Sequence, residues 1–145
     1  MYDALVKQYE GCILTAYPDP ATGGEPWTIG WGSTTYLDGT KVKKGDKITQ
    51  EYADKLLSEY INKNIIPVIN KIPYILTSNQ KEALVSLLYN IDATKFMKTK
   101  CFSAICNKDV EGMFKEWDWI KASGKVMKGL VKRRSHERFL FFKDL

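Results

Sequence analysis

Residues 9–33 read YEGCILTAYPDPATGGEPWTIGWGS, and the fold turns on how this stretch is read. Two carboxylates, Glu10 and Asp19, stand nine positions apart with Pro18 just before the second. On an unbroken helix nine residues advance a side chain by about 900°, which sets the two on opposite faces. Pro18 rules that out, because the residue before a proline is pushed to extended backbone. Turn signals at TGG and at DGT (Asp38–Thr40), together with the β-like run WTIGWG, make residues 17–42 a small sheet of three short strands. The chain can therefore turn after a first helix and carry the second carboxylate back toward the first.

Upstream, Ala4, Leu5, Tyr9, Cys12 and Ile13 recur at helical spacing and predict a helix over 2–14, weakened at its end by Gly11. Glu10 then sits in the last turns, where the helix dipole disfavours negative charge, and burial beside Tyr9, Tyr17 or Trp27 acts in the same direction. Asp19, on an open Gly-rich segment, is better placed to stay ionised. One carboxyl able to give a proton and one kept charged is what cleavage of a glycosidic bond requires, and Thr28 adds a hydroxyl that can hold the attacking water. The plainer reading is that Asp19, between two prolines, is an ordinary turn residue. Spacing leaves both readings open.

Downstream the patterning turns helical. Thr49 caps a helix running to about Asn64, with Tyr52 three positions on in place of a capping-box Glu. Pro67 and Pro73 bracket an irregular piece. Thr77 or Ser78 opens QKEALVSLLYNI, apolar on nearly every face and so central to a helical core. Helical spacing resumes over 102–107, 110–119 and 130–142, with ASGK and Gly129 at the joins. The expected fold is α+β: one domain over 1–145, with a small α+β lobe (10–50), a linking helix (50–64) and a larger all-helical lobe (65–145) on which the first helix packs. A groove between two such lobes is a common place for a substrate.

The length of 145 residues suits one domain, and a chain that is 44% hydrophobic with 5 prolines is neither disordered nor fibrous. A net charge of +5 favours polyanionic partners such as nucleic acid, acidic membranes or anionic wall polymer. Cys12, Cys101 and Cys106 are odd in number and lack metal-ligand spacing, which indicates free thiols from a reducing compartment. MYDALVKQYEG has no apolar core of a signal peptide, and no run reaches the length of a membrane span. Synthesis in the cytoplasm is expected. With His136 as the only histidine, no histidine triad or multi-histidine metal site can be built, and no cofactor or metal is expected.

Glu10-Gly11, Ala16-Tyr17-Pro18-Asp19 and Thr28-Ile29-Gly30-Trp31-Gly32 resemble the active-site segment of the phage-type lysozymes, or endolysins, of glycoside hydrolase family 24. Gln80 with the run Ala83 to Asn90 is similar to the family's central helix. Trp117 and the run Gly129 to Glu137 are similar to its C-terminal part, with the pattern Gly-Leu-x-x-Arg-Arg-x-x-Glu. The resemblance spans nearly the whole chain in the family's order. It implies a lysozyme-like fold and hydrolysis of the β-1,4 bond between N-acetylmuramic acid and N-acetylglucosamine in peptidoglycan, in a family generally regarded as inverting. It also implies Glu10 as the acid that protonates the leaving oxygen, Asp19 as the carboxylate that guides water or steadies charge, and Thr28 as the third member. Tyr89 and Asn90, at the end of the central helix, and Trp31 are the substrate-binding candidates; their plainer roles are packing for Tyr89 and capping for Asn90.

Two departures stand out. The Asp-to-Thr spacing is three residues longer than usual, and GGEP looks like the extra length; a hairpin insertion leaves the strand register free to be kept, which favours Thr28 over Thr22. Ser33 stands where the family often has histidine. With no signal, no span and free cysteines, the protein is expected to depend on a separate, holin-like membrane-permeabilising protein to reach the wall, and to be a monomer. The competing readings are a lytic transglycosylase on the same fold, disfavoured by Asp19 beside Glu10, and a non-catalytic virion wall-binding protein, disfavoured by the intact Glu-Asp-Thr set. KVMKGLVKRR lacks the context of a nucleic-acid module, and Glu137 interrupts it, so no nucleic-acid partner is expected. Arg134 and Glu137, three apart, are expected to pair internally and dock the last helix.

Overall fold

A six-residue helix, α1 (Ala4–Tyr9), opens the chain in the computed structural model, which describes residues 2–145. It is shorter than the 2–14 expected from spacing. Glu10 is already extended (φ −91°, ψ 134°), although its N–H still reaches back to the Val6 carbonyl at 2.7 Å. Ile13 then begins a strand, β1 (Ile13–Tyr17), antiparallel to β2 (Thr28–Gly30), with Ile13 opposite Gly30 and Tyr17 opposite Thr28. Backbone bonds from Ala16 N–H to Asp46 O and from Ile48 N–H to Leu14 O, both 2.9 Å, occupy the other edge of β1. Those non-local partners outweigh the helical spacing of Cys12 and Ile13, since pairing on both edges supplies backbone bonds that a frayed helix end would not. The expected three-stranded sheet is a two-stranded one, extended only by isolated bridges such as Thr15 to Lys47 and Thr35 to Lys41.

Thr49 caps α2 (Gln50–Tyr60), its hydroxyl accepting from Tyr52 N–H at 3.1 Å. The helix passes into a π turn (Ile61–Ile65) and then α3 (Ile66–Ile69). The sequence explains the turn. Ala53, Leu57, Ile61, Ile65 and Ile69 are all buried and each is four residues from the last. Each such step on an α-helix overshoots a full circle by about 40°, so the stripe would wander off the core. A wider π turn takes the overshoot back. Pro67 fits because it lies in the first turn of α3.

Thr77 opens α4 (Ser78–Ile91) with a full capping box, Thr77 Oγ1 accepting from Gln80 N–H and Gln80 Oε1 from Thr77 N–H. Ala83 to Leu88 are buried without exception, as an all-round apolar helix must be. Three short helices follow, α5 (Ala93–Phe96), α6 (Lys100–Cys106) and α7 (Val110–Glu116). The ASGK join is a small hairpin, β3 (Lys121–Ala122) and β4 (Lys125–Val126). The chain ends in α8 (Lys128–Phe142), which packs along α4. Val6 of α1 lies in the same core as Leu84, Ile105, Trp117 and Phe141, so the first helix belongs to the helical lobe while the hairpin after it forms the other lobe. That handover at Glu10 is what puts a carboxyl on the boundary between the lobes.

Candidate active site

Because α1 stops at Tyr9, Glu10 projects from a helix end rather than from a helix face. Its Oε2 accepts a hydrogen bond from Arg133 Nη1 at 2.6 Å, and its Oε1 lies beside Gly32 at the mouth of a cavity. Gly32 has φ +106°, where a side chain would be strained. The cavity, of about 470 Å³, is lined by Glu10, Gly32 and Leu37 on the hairpin side and by Tyr60, Lys63 and Tyr89 across from them. One oxygen of Glu10 is thus fastened and the other faces open space.

The fastening reaches deep. Arg133 is 3% exposed; its Nε donates to Ser86 Oγ (3.1 Å) and its Nη2 to Ser86 O (2.8 Å). Ser86 Oγ donates to Glu137 Oε2 (2.5 Å), and Trp117 Nε1 donates to Glu137 Oε1 (3.2 Å). Arg134 completes the cluster: its Nη2 donates to Glu137 Oε2 at 2.8 Å, while its Nε lies 2.6 Å from Oε1 at an angle that makes an ion-pair contact and not a hydrogen bond. Burial lowers the Arg134 guanidinium from its ordinary value, against the opposing charge of Glu137. The expected Arg134–Glu137 pair is present, then, but it is one part of a buried relay that ends on the Glu10 carboxyl. Arg133 and Ser86 were not among the expected site residues. The signal available was two adjacent arginines three and four residues before a single glutamate: Glu137 meets both, but one carboxylate leaves two buried guanidinium groups short of charge, which points to a second acid from elsewhere in the chain.

Asp19 sits two residues beyond the Tyr17–Thr28 strand pair, so the hairpin holds Asp19 and Thr28 at one end and Glu10 near the other, where Ile13 faces Gly30. Asp19 is pinned by its own turn. Its Oδ1 accepts from Ala21 N–H (2.7 Å) and its carbonyl from Gly23 N–H (2.8 Å). Thr28 Oγ1 makes only a long contact to Pro26 O at 3.5 Å, at the limit of a hydrogen bond. Thr22 is the reverse: its hydroxyl donates to Glu25 O at 2.7 Å and accepts from Gly24 N–H at 3.2 Å. Of the two threonines, Thr28 keeps the freer hydroxyl.

Tyr89 lines the cavity, its hydroxyl donating to Trp31 O at 2.8 Å and its ring edge-on to Tyr60 at 5.3 Å. Burial, then the charge of Glu10, holds the Tyr89 hydroxyl above its ordinary value, so it stays a donor. Burial and Glu10 act in the same way on Tyr17. Trp31, Asn90, Asp19 and Thr28 do not line this cavity. Trp31 Nε1 donates to Asp54 Oδ1 at 2.8 Å, and Asn90 Oδ1 accepts from Arg134 Nη1 at 2.8 Å. Tyr60 and Lys63, on the far wall, were not anticipated. Among the described residues no group of three or more His, Cys, Asp and Glu is placed to hold a metal ion.

The chain as a whole has relatives of known kind. The chain is 37% identical over 142 residues to an endolysin of Acyrthosiphon pisum secondary endosymbiont phage 1, the match covering 94% of this chain and 92% of that one. Its fold matches an endolysin from Escherichia coli O157:H7 phage FAHEc1 with a TM-score of 0.81 at 31% identity, over 99% of this chain and 91% of the other. It also matches the muramidase domain of SpmX from Asticaccaulis excentricus with a TM-score of 0.79 at 29% identity, over 97% and 93%. Residues 7–137, a span that holds Glu10, the hairpin and the buried cluster around Glu137, match the phage lysozyme family, and the chain belongs to that family.

Proposed function

We propose that this chain is a muramidase of the endolysin type, hydrolysing the β-1,4 bond between N-acetylmuramic acid and N-acetylglucosamine in bacterial peptidoglycan, and that it works as a single catalytic domain. The observation that carries the reading is the Glu10 carboxyl, held through Oε2 by a buried arginine while Oε1 faces the groove between the lobes. In this reading Glu10 gives its proton to the leaving glycosidic oxygen as the C–O bond breaks. Asp19 guides a water to the anomeric carbon and steadies positive charge on the sugar, with the Thr28 hydroxyl as a further hold on that water. Water supplies the new hydroxyl, its proton passes to the carboxylate, and no cofactor enters. Tyr89 and Asn90 are our candidates for contact with the N-acetyl sugars, and Trp31 supports the wall behind them through its carbonyl bond to Tyr89.

No helix among the described residues is long and apolar enough to cross a membrane. We place the enzyme in the host cytoplasm after synthesis, as a monomer, with access to the wall through a lesion made by a separate permeabilising protein. Digestion of purified peptidoglycan followed by analysis of the ends tests the reaction. Reducing muramic acid ends support hydrolysis; 1,6-anhydro ends would mean intramolecular transfer, and an undegraded wall would mean a binding protein on a lysozyme fold. Expression alone should leave cells intact until the membrane is permeabilised, whereas lysis with an intact membrane and no partner would contradict the access route.

A further inference from the structure

The groove occupies the inner side of α8, through Arg133. The outer side of the same helix is unlike an ordinary solvated face. At about 100° per residue, Lys128, Ser135, Phe139 and Phe142 fall within about 60° of one another, on the side away from Arg133. Phe139 is 65% exposed, and Phe114 of α7, 59% exposed, stacks on Phe142 at 5.8 Å and 29° beside it. Val131, 38% exposed, extends the patch along the helix. The cations stand over these rings, Arg138 5.0 Å from the centre of Phe114 and Lys143 5.7 Å from that of Phe139. Lys128 and Lys132 continue the charge outward. The one acid of α8, Glu137, is fully buried and engaged by two arginines, so it neutralises nothing on this face.

We propose that the outer face of α8, with Phe114, docks on an anionic lipid bilayer. Exposed aromatic rings rimmed by lysine and arginine meet both requirements of that surface: the rings enter the boundary between headgroups and acyl chains, and the cations meet anionic headgroups. A soluble polyanion would use the charges and leave the rings without a role. Docking here leaves the groove free, because Glu10 is reached from the opposite side of α8. An enzyme held at a membrane in this way is concentrated where access to the wall opens. The surface is separate from the muramidase reading and stands or falls apart from it.

The test is co-sedimentation of the full chain with vesicles of phosphatidylcholine alone or mixed with phosphatidylglycerol, at low salt. Binding is expected only with phosphatidylglycerol present. Lys132→Ala with Lys143→Ala should weaken it by roughly thirtyfold, and Phe114→Ser with Phe139→Ser by at least about tenfold. All variants should keep the parent circular dichroism and the parent rate on purified peptidoglycan. Phe139→Trp, which removes nothing, should gain a blue-shifted emission component on adding the mixed vesicles. Failure to bind the mixed vesicles overturns the proposal. So does binding that needs the lysines and ignores the phenylalanines, which is bare polyanion attraction, and so does a Phe139→Trp emission that vesicles leave unchanged.

Discussion

Replacing Glu137 by Gln changes one atom and removes one charge, and the structure says this should be among the most damaging single changes in the chain. Glu137 is wholly buried and takes bonds from Ser86 Oγ, Trp117 Nε1 and Arg134 Nη2, with Arg133 Nε a further 3.4 Å away. An amide keeps the shape but offers only one acceptor oxygen, and its NH2 faces donors. Of the two guanidinium groups, 3% and 0% exposed, Arg133 then keeps Glu10 as a counter-charge and Arg134 loses the carboxylate it pairs with. A buried cluster of this kind need not be a net source of stability, since burying its charges costs as much as their attraction returns. Removing one partner is different, because the others stay buried and uncompensated, at a cost of about 3–5 kcal/mol. At roughly 3 °C per kcal/mol for a chain of this size, the melting temperature should fall by about 10–15 °C. Urea unfolding followed by far-ultraviolet circular dichroism measures it, with exposed Glu25→Gln as a control expected within about 0.5 kcal/mol of the parent. A Glu137→Gln loss below about 1 kcal/mol would refute the argument that the cluster is held by a single buried negative charge.

Thr28→Ala should cut turnover on cell walls far more than Thr22→Ala, because the Thr28 hydroxyl is nearly free while that of Thr22 is consumed by its own turn; equal activity of Thr28→Ala and the parent would move the role elsewhere. Asp46, bonded by Tyr36 OH (2.7 Å), and Asp54, bonded by Trp31 Nε1 (2.8 Å), both titrate below the ordinary carboxylate value when folded. Their contribution is present above the unfolded value near 4 and is lost as pH falls through the lower folded one, so urea midpoints should drop on acidification below about pH 4 and drop less steeply in Asp46→Asn and Asp54→Asn. Burial pushes the Cys101 thiol up to about 12, so a thiol reagent near pH 8 should label native protein at Cys12 first and reach Cys101 only on unfolding.

The helical lobe was legible because its signals are local: the Thr49 and Thr77 caps and the apolar run from Ala83 to Leu88 each act within a few residues. The π turn was not anticipated: a helix to about Asn64 was expected, and the four-residue steps from Ala53 to Ile69 account for the turn once it is seen. The early end of α1 was not, since what makes Ile13 a strand residue is Gly30 across the hairpin and Asp46 and Ile48 on the other edge. Glu10 became a candidate through Pro18 and the turn chemistry around it, which left a plainer reading open, and through the resemblance of its segment to phage-type lysozymes. Its arginine was not, because Arg133 lies 123 positions away and only the packing of α8 on α4 brings it there. Tyr60 and Lys63 escaped for a related reason: which face of the linking helix meets the groove depends on the π turn.

The central claim is that Glu10 delivers the proton that breaks the sugar–sugar bond. Glu10→Gln keeps the size of the side chain and an oxygen for Arg133 Nη1, and it has no proton to give to the leaving oxygen. Release of reducing ends from purified peptidoglycan, by protein shown to be folded by circular dichroism, is the direct measurement. The account predicts a loss of about two orders of magnitude or more. A Glu10→Gln enzyme working at close to the parent rate would contradict it, whatever the likeness of the rest of the chain to lysozymes.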